Sequence, residues 1–456
     1  MNFKPTCYFI FLLVVLVTCR STEVNQERLE LADEIEHSIR AELLSNWYPT
    51  AIDTVYGGFL STFTHDFKPT GDQNKMIVSQ ARHVWTTARA AMAYPEAEHY
   101  EEASAHGVEF LKNAMWDKTY GGFYTLVDRQ GNVIPNEDAE KTAYGNAFGI
   151  YGLAAYVMAT QDTAALSLAK KGFQWLEEHS HDPVLKGYFQ HLERDGSVIE
   201  RDESVPSTSD RGYKDQNSSI HLLEAFTELY QVWPDPLVAV RLKEMLFLIR
   251  DTITTEKGYL TLFLEPDWAP VTFRDSTEEV ILEHHNIDHV SFGHDVETAY
   301  LMLEASHVAG IENDTITLRI AKKMVDHALE NGWDSVAGGF YDEGYYFKDR
   351  EGIAITRDTK NWWAQAEGLN TLLLMADLFP EDDHQYFEKF KTMWDYIDNN
   401  LIDHEYGEWY PGGLDKQPQF RSANKGHIWK AAYHQYRSME NSVKRLRDGG
   451  PMTNDE

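Results

Sequence analysis

Six short clusters of polar and aromatic side chains recur along the chain, and each lies at the predicted start of a helix. In the fourth cluster His294 and Glu297 are three residues apart, and in the third Asn217 and His221 are four apart. Side chains at these spacings share one face of a helix. A carboxylate beside an imidazole fixes its tautomer and basicity, which suits acid–base catalysis near neutral pH. The clusters cover residues 79–85, 141–146, 214–221, 291–297, 360–367 and 425–434.

Tryptophans accompany these polar groups at Trp85, Trp363 and Trp429. The apolar C–H face of a pyranose can lie on an indole ring while its hydroxyl groups bind polar neighbours. The prominent histidines favour proton transfer at carbon. Paired carboxylates could instead cleave a glycosidic bond, and that alternative stays open.

A second group of histidines, at positions 284, 285 and 289, could suggest a metal site together with His294. The group does not match the HExxH pattern of zinc proteases, although imidazole and carboxylate could still bind a transition metal. The only cysteines are Cys7 and Cys19, so the mature domain has neither a thiol nucleophile nor a cysteine zinc site. We expect chemistry without a metal.

A glycine–aromatic motif divides the chain into six repeats of about 65 to 80 residues. Its clearest copies are Tyr56–Phe59 and Tyr120–Phe123. Each repeat continues with a short strand-like piece and two stretches of helical periodicity. The twelve predicted helices are 24–47, 79–94, 98–115, 141–160, 162–180, 214–232, 235–253, 291–309, 312–331, 361–378, 384–401 and 425–444.

Six helical pairs predict an all-α fold, a closed (α/α)6 barrel with short β-hairpin loops at one end. An open solenoid is the alternative, but it usually has distinct capping repeats, which this sequence lacks. We expect the second helix of each successive pair to form the inner ring. The N-termini of the six inner helices would then meet at one mouth and direct free N–H groups at a ligand.

The net charge of −32 does not suit nucleic acid or anionic lipid, and it favours a neutral substrate. Lys4 precedes an apolar run that is too short to span a bilayer, and Leu16–Cys19 resembles a bacterial lipobox. We therefore expect a signal peptide at 1–18, a lipidated Cys19, a catalytic domain at 24–446 and a disordered tail at 447–456. Plain secretion and a retained anchor are the alternatives. The expected location is the periplasm or the outer membrane.

Three of the clusters together resemble the N-acylglucosamine 2-epimerase superfamily, and within it the cellobiose 2-epimerase branch. They are Ser291–Glu297, Asn361–Glu367 and Trp429–His434. The resemblance implies an isomerase that inverts C2 of a reducing-end sugar in a β-1,4-linked disaccharide such as cellobiose or mannobiose. It implies no metal and no nucleotide cofactor. A monosaccharide enzyme for glucose, mannose or fructose, a glycoside hydrolase and a noncatalytic sugar-binding lipoprotein remain alternatives.

The same resemblance implies roles for ten residues. His294 and His434 match the acid–base pair that works through a cis-enediol or enediolate, and His221 matches a third histidine linked to ring opening. The residues implied to bind or support substrate are Arg82, Tyr144, Asn217, Glu297, Trp363, Glu367 and Trp429. The expected partner is a small carbohydrate, with membrane contact only through the lipid anchor.

Overall fold

The computed structural model describes residues 26–135 and 140–448, and these form mainly helices. The predicted signal segment, Cys19 and residues 449–456 of the predicted tail lie outside the described residues. Twelve helices build the barrel: α1 (26–47), α2 (Ile77–Ala93), α3 (His99–Phe110), α4 (Ala143–Thr160), α5 (Thr163–His179), α6 (Gln216–Val232), α7 (Pro236–Leu248), α9 (Phe292–Val308), α10 (Thr315–Gly332), α11 (Trp362–Leu378), α12 (Tyr386–Asn400) and α13 (Tyr433–Asp448). Short π-helical segments lie within α1 and extend α3 and α7.

The inner ring consists of α2, α4, α6, α9, α11 and α13. Each inner helix contacts the next, and α13 contacts α2, which closes the ring. The prediction of a closed (α/α)6 barrel is therefore confirmed, and the open solenoid is wrong. Among the described residues, no helix combines the length and the apolarity needed to cross a membrane.

Burial explains which helices lie inside. Nearly all residues of α4, from Ala143 to Val157, are buried, because this helix is surrounded by other helices. In α5 the buried residues instead follow helical spacing, including Leu168, Phe173 and Leu176, and its other face is polar. An amphipathic helix of this kind belongs to the outer layer.

The glycine–aromatic motifs form equivalent turns at one end of the barrel. Gly122 has a φ of +72°, and a Cβ atom there would lie 2.7 Å from the Trp175 ring, so this position requires glycine. Each turn is closed by an isolated antiparallel bridge, which confirms six repeats: Ile52–Phe59, Trp116–Phe123, His181–Tyr188, Thr254–Leu260, Trp333–Phe340 and Ile402–Trp409.

A buried lysine precedes five of the six inner helices and binds an aspartate of the preceding turn. Lys214, for example, also donates to the carbonyls of Lys186 and Pro266, so its three N–H groups are all satisfied. The pairs are Lys75–Asp53 at 3.0 Å, Lys141–Asp117 at 3.1 Å, Lys214–Asp182 at 2.8 Å, Lys360–Asp334 at 2.8 Å, and Lys425–Asp403.

Short antiparallel strands connect neighbouring repeats at the same end of the barrel. Among the described residues, three sheets have two strands each, and the fourth has three, with Glu343–Tyr345 as its central strand. The strands are β1 (Lys75–Met76), β2 (Leu126–Val127), β3 (Lys141–Thr142), β4 (His191–Leu192), β5 (Lys214–Asp215), β6 (Phe263–Leu264), β7 (Val290–Ser291), β8 (Glu343–Tyr345) and β9 (Ala354–Arg357).

The structure corrects three predictions of helix placement. The last helix begins at Tyr433 rather than at residue 425 and runs to Asp448, because Lys425 pairs with Asp403 and the backbone of Gly426 pairs with Phe63. An additional helix, α8 (Glu278–Glu283), precedes the 284–289 histidines. In each helical pair joined by a short loop, the inner helix comes first in the chain and the outer helix follows it, which is the reverse of the predicted order. The outer partner of α13 is α1, at the other end of the chain.

Candidate active site

His294 lies in the first turn of α9 and is half-buried at the mouth of the barrel. Its Nδ1 lies 2.8 Å from the Ser291 hydroxyl, and its ring centroid is 4.6 Å from that of Trp363. The expected pairing of His294 with Glu297 is wrong, because Glu297 contacts Arg437 instead. Burial lowers the pKa of His294 to about 3, so the imidazole is neutral at neutral pH.

His434 lies in the first turn of α13 and is buried. Its Nδ1 lies 2.7 Å from Oε1 of Glu367, and its ring is 6.1 Å from the Trp363 ring. Burial and the nearby charges of Arg82 and Arg437 hold the pKa of His434 well below its usual value. Two neutral imidazoles, one from the fourth repeat and one from the sixth, thus lie near the same indole ring.

His221 lies in α6 and forms a second histidine–carboxylate pair. Its Nδ1 is 2.8 Å from Oε2 of Glu224, one helical turn further along. Although burial opposes it, Arg437 and His221 hold the pKa of Glu224 at about 2, so this carboxylate is ionised. The His221 ring lies 5.1 Å from that of Tyr144 and 4.8 Å from that of Phe148.

Arg437 joins these groups beneath the histidines. Its Nη2 lies 2.8 Å from Oε1 of Glu297 and 2.7 Å from Oε1 of Glu367. Its Nη1 contacts Oε1 of Glu224 and the hydroxyl of Tyr433. One guanidinium therefore binds three buried carboxyl groups from three inner helices.

Two of these carboxyl groups titrate near neutrality. Burial and the negative charge of Glu367 raise the pKa of Glu297 to about 7. Burial also raises the pKa of Glu367 to about 7, against the opposing effect of Arg437. Carboxyl groups this close resist carrying two charges, so the pair holds an extra proton below about pH 7.

Arg82, in α2, completes one wall of the site. Its guanidinium donates to the backbone carbonyl of Trp429 at 3.0 Å and to the Tyr144 hydroxyl at 3.1 Å. It also lies over the Phe148 and Tyr433 rings. A cation held by aromatic rings in a buried site is suited to stabilising an oxyanion.

The remaining predicted residues lie at the mouth. Asn217 is half-buried in the first turn of α6, one turn before His221. Trp429 is 47% exposed in the loop before α13, so the prediction that it lies on a helix is wrong. A pocket of about 120 Å³ opens beside His294, lined among others by His289, Arg357 and Trp363.

Of the other histidines considered from sequence, His284 is held away from this centre. Its ring stacks on Phe273 at 3.9 Å, and its Nε2 lies 2.8 Å from the Ser207 hydroxyl. The Nε2 of His285 lies 2.9 Å from Nη2 of Arg357. The structure therefore does not bring the 284–289 group together as one metal site.

Glu297, Glu367 and His434 have ligand atoms within 4.8 Å of one another, which is the spacing of a metal site. However, Nη2 of Arg437 contacts both carboxylates in this cluster. Arginine cannot be deprotonated in proteins, so its positive charge takes the place between the two carboxylates that a metal ion would need. This donor set does not fit a metal.

Sequence reasoning missed Glu224, Ser291 as the partner of His294, and Arg437. The signal was present, because Glu224 follows His221 by three residues and Arg437 follows His434 by three residues on a helix.

Known proteins resemble this chain over most of its length. The family model of N-acylglucosamine 2-epimerase matches residues 57–438. A cellobiose 2-epimerase of Bacteroides fragilis is 27% identical over 89% of this chain and 96% of its own length. A D-mannose isomerase of Marinomonas mediterranea is 24% identical over 85% of this chain and 91% of its own.

Among solved structures, cellobiose 2-epimerase of Spirochaeta thermophila superposes with a TM-score of 0.78 at 27% identity, covering 93% of this chain and 98% of its own. The family model matches well over half of the chain, including all three histidines of the site. The chain therefore belongs to the N-acylglucosamine 2-epimerase family and is a carbohydrate epimerase or isomerase.

Proposed function

We propose that the protein interconverts C2 epimers at the reducing end of a β-1,4-linked disaccharide such as cellobiose or mannobiose. The observation that carries the proposal is the pair of neutral imidazoles of His294 and His434 near the Trp363 ring. The Nδ1 of each is already occupied, by Ser291 and Glu367 respectively. Nε2 is therefore the nitrogen of each ring that remains for substrate.

The chemistry proceeds without oxidation or reduction. The sugar ring opens to an aldehyde, and His221 assists this step as a proton shuttle. One imidazole then removes the C2 proton, which gives a cis-enediolate with negative charge at O1. Arg82 stabilises that charge. As negative charge develops at O1, the other imidazole takes up a proton from water and returns it to the opposite face of C2. The first imidazole releases its proton to water, so the product is an isomer of unchanged mass.

The sugar is expected to lie against Trp363 and Trp429. Trp429 is exposed at the mouth, where a second sugar unit would extend from the reducing end. Four further residues support this arrangement, either at the wall of the site or through the hydrogen bonds described above. They are Tyr144, Asn217, Glu297 and Glu367.

A monosaccharide isomerase is the second candidate, because one relative of similar coverage is a D-mannose isomerase. Such an enzyme would return the proton to C1 and give a ketose. A glycoside hydrolase has less support. Its two carboxyl groups would flank the bond to be cleaved, whereas Glu297 and Glu367 contact one shared guanidinium nitrogen.

Incubation with cellobiose, mannobiose, mannose and glucose in deuterated water, followed by NMR, distinguishes these functions. We expect cellobiose to give glucosylmannose with deuterium at C2. Ketose formation from mannose alone would support the monosaccharide isomerase, and free glucose from cellobiose would support a hydrolase. Unchanged sugars without deuterium would contradict every catalytic function considered.

We also propose that the protein is exported and anchored through a lipid on Cys19. The support is Lys4, the apolar run that follows it, and the lipobox-like Leu16–Cys19. Mass spectrometry of the N-terminus in the native host should find a diacylglyceryl cysteine. An uncleaved chain in the cytosol would contradict this proposal.

A further inference from the structure

We propose that Arg437 is a positioning residue that couples the two histidine–carboxylate pairs, His434–Glu367 and His221–Glu224, so that both imidazoles present Nε2 to the substrate together. The inference rests on the proposed function, because it assigns Arg437 to the orientation of two histidines that act there. Arg437 itself lies beneath the histidines and is only 2% exposed.

One arm of the guanidinium serves His434. Nη2 lies 2.7 Å from Oε1 of Glu367, and that same oxygen is 2.7 Å from Nδ1 of His434. Because Oε1 of Glu367 already accepts a hydrogen bond from Arg437, any proton on this carboxyl group lies on Oε2, and Oε1 requires the proton of His434 to be on Nδ1. Nε2 is then the unprotonated nitrogen and can act as a base.

The other arm serves His221. Nη1 contacts Oε1 of Glu224, and Oε2 of the same carboxylate lies 2.8 Å from Nδ1 of His221. Tyr433 contacts both Glu224 and Arg437 through its hydroxyl. Arg437 thus holds Glu224 through Oε1, and Glu224 orients the imidazole of His221 through Oε2. The same guanidinium thereby fixes histidines from the third and the sixth repeats.

Two nitrogens of one planar group are needed for this arrangement. Guanidinium nitrogens diverge at a fixed angle, and each contacts carboxylates on a different helix. A lysine ammonium is a single point and cannot contact Glu224 and Glu367 in the same way. Arg437→Lys should therefore keep the charge but support only one of the two pairs.

Charge gives the inference a pH signature. The groups facing the Glu297–Glu367 pair are His434 and Arg437 on α13, Glu224 and His221 on α6, His294 on α9, Arg82 on α2 and Tyr144 on α4. Arg437 lowers the pKa of Glu297, of Glu367 and of His434. Its removal raises all three pKa values, so the acid limb of the activity profile should move to higher pH.

The direct test reads the imidazoles and does not need turnover. In protein with 15N-labelled histidine, NMR distinguishes Nδ1–H from Nε2–H tautomers. We expect Glu367→Gln to change the His434 signals, Glu224→Gln to change those of His221, and Arg437→Met to change both. If a well-folded Arg437→Met protein keeps both imidazoles in their wild-type state, the coupling is wrong.

Kinetics supply the second readout. We expect Arg437→Met to lower kcat on the order of 10- to 100-fold, the usual effect of losing an outer partner that orients a functional imidazole. KM should change little, because Arg437 lies beneath the groups that meet the substrate. An unchanged acid limb together with wild-type kcat would also overturn the inference.

Arg89→Met is the matched control. Arg89 lies in α2 about 10 Å further along the helix than Arg82, and it binds Glu228 at 2.7 and 2.9 Å. Its loss removes another largely buried arginine–glutamate pair from the same barrel. It should lower stability yet leave the histidine tautomers and the pH profile unchanged. If both arginine variants shift the profile equally, the effect is general and the assignment of Arg437 fails.

Failure of the coupling can be distinguished from misfolding of the variant and from failure of the proposed function. Should Arg437→Met not fold, Arg437→Lys decides, since it should disturb the signals of one histidine while its retained charge keeps the acid limb near the wild-type position; unchanged signals of both histidines would overturn the inference. If the wild-type protein turns over none of the sugars, the proposed function fails, while the NMR comparison still tests the coupling.

Discussion

The ring nitrogen that each histidine presents to substrate depends on its neighbours. Ser291 occupies Nδ1 of His294, Glu367 that of His434, and Glu224 that of His221. The clusters near predicted helix starts contain these three histidines, and the family resemblance implied their roles. It could not identify their partners fully, because Glu367 and His434 are 67 residues apart and meet only when the barrel closes.

We predict that activity survives exhaustive chelation. Nη2 of Arg437 lies between the carboxylates of Glu297 and Glu367, where a cation would otherwise bind. The measurement is the turnover rate before and after dialysis against EDTA, with the wild-type protein in metal-free buffer as the reference. Loss of turnover that a divalent metal restores would replace the two-base scheme with a metal-assisted one.

At the scale of elements, the structure shows why predicted helix starts were early. Helical periodicity predicts the first helical residue at 141 and at 214, yet Lys141 and Lys214 lie in short strands. A side chain that pairs with the preceding turn requires extended backbone there. Periodicity alone does not reveal that pairing, whereas it did predict the existence of all twelve barrel helices.

The fourth repeat lacks the lysine–aspartate pair altogether. Val290 occupies the strand position of Lys214, and Thr255 occupies the turn position of Asp182. Both charges are therefore replaced together. A buried ion pair contributes little net stability over neutral groups, but one charge left without its partner is costly.

This difference predicts the outcome of a double-mutant cycle in the third repeat. Lys214→Val alone should lower the free energy of unfolding by about 3–5 kcal/mol, because Asp182 is left buried without its cation. The double variant Asp182→Thr with Lys214→Val should be less destabilised than Lys214→Val alone. Urea unfolding followed by circular dichroism measures Lys214→Val, Asp182→Thr and the double variant. Strictly additive losses would mean that the pair is not coupled.

At the scale of the whole molecule, ring closure creates the site. The helices α6, α9, α11 and α13 each supply one or more of the groups around Arg437, and α2 supplies Arg82. The repeats allowed this convergence to be predicted from sequence. The depth at which each side chain lies could not be predicted, because it depends on how the six inner helices pack.

We propose that His294 and His434 act as bases on opposite faces of C2, and one measurement tests this most directly. The measurement is C2 deuterium exchange and epimerisation in His294→Asn and His434→Asn, with His284→Asn as the control outside the site and circular dichroism to verify folding. We expect each active-site variant to lose epimerisation by about 10²–10⁴-fold. Each should still exchange deuterium into one epimer, a different one for each variant. Near wild-type epimerisation in both folded variants would contradict the assignment.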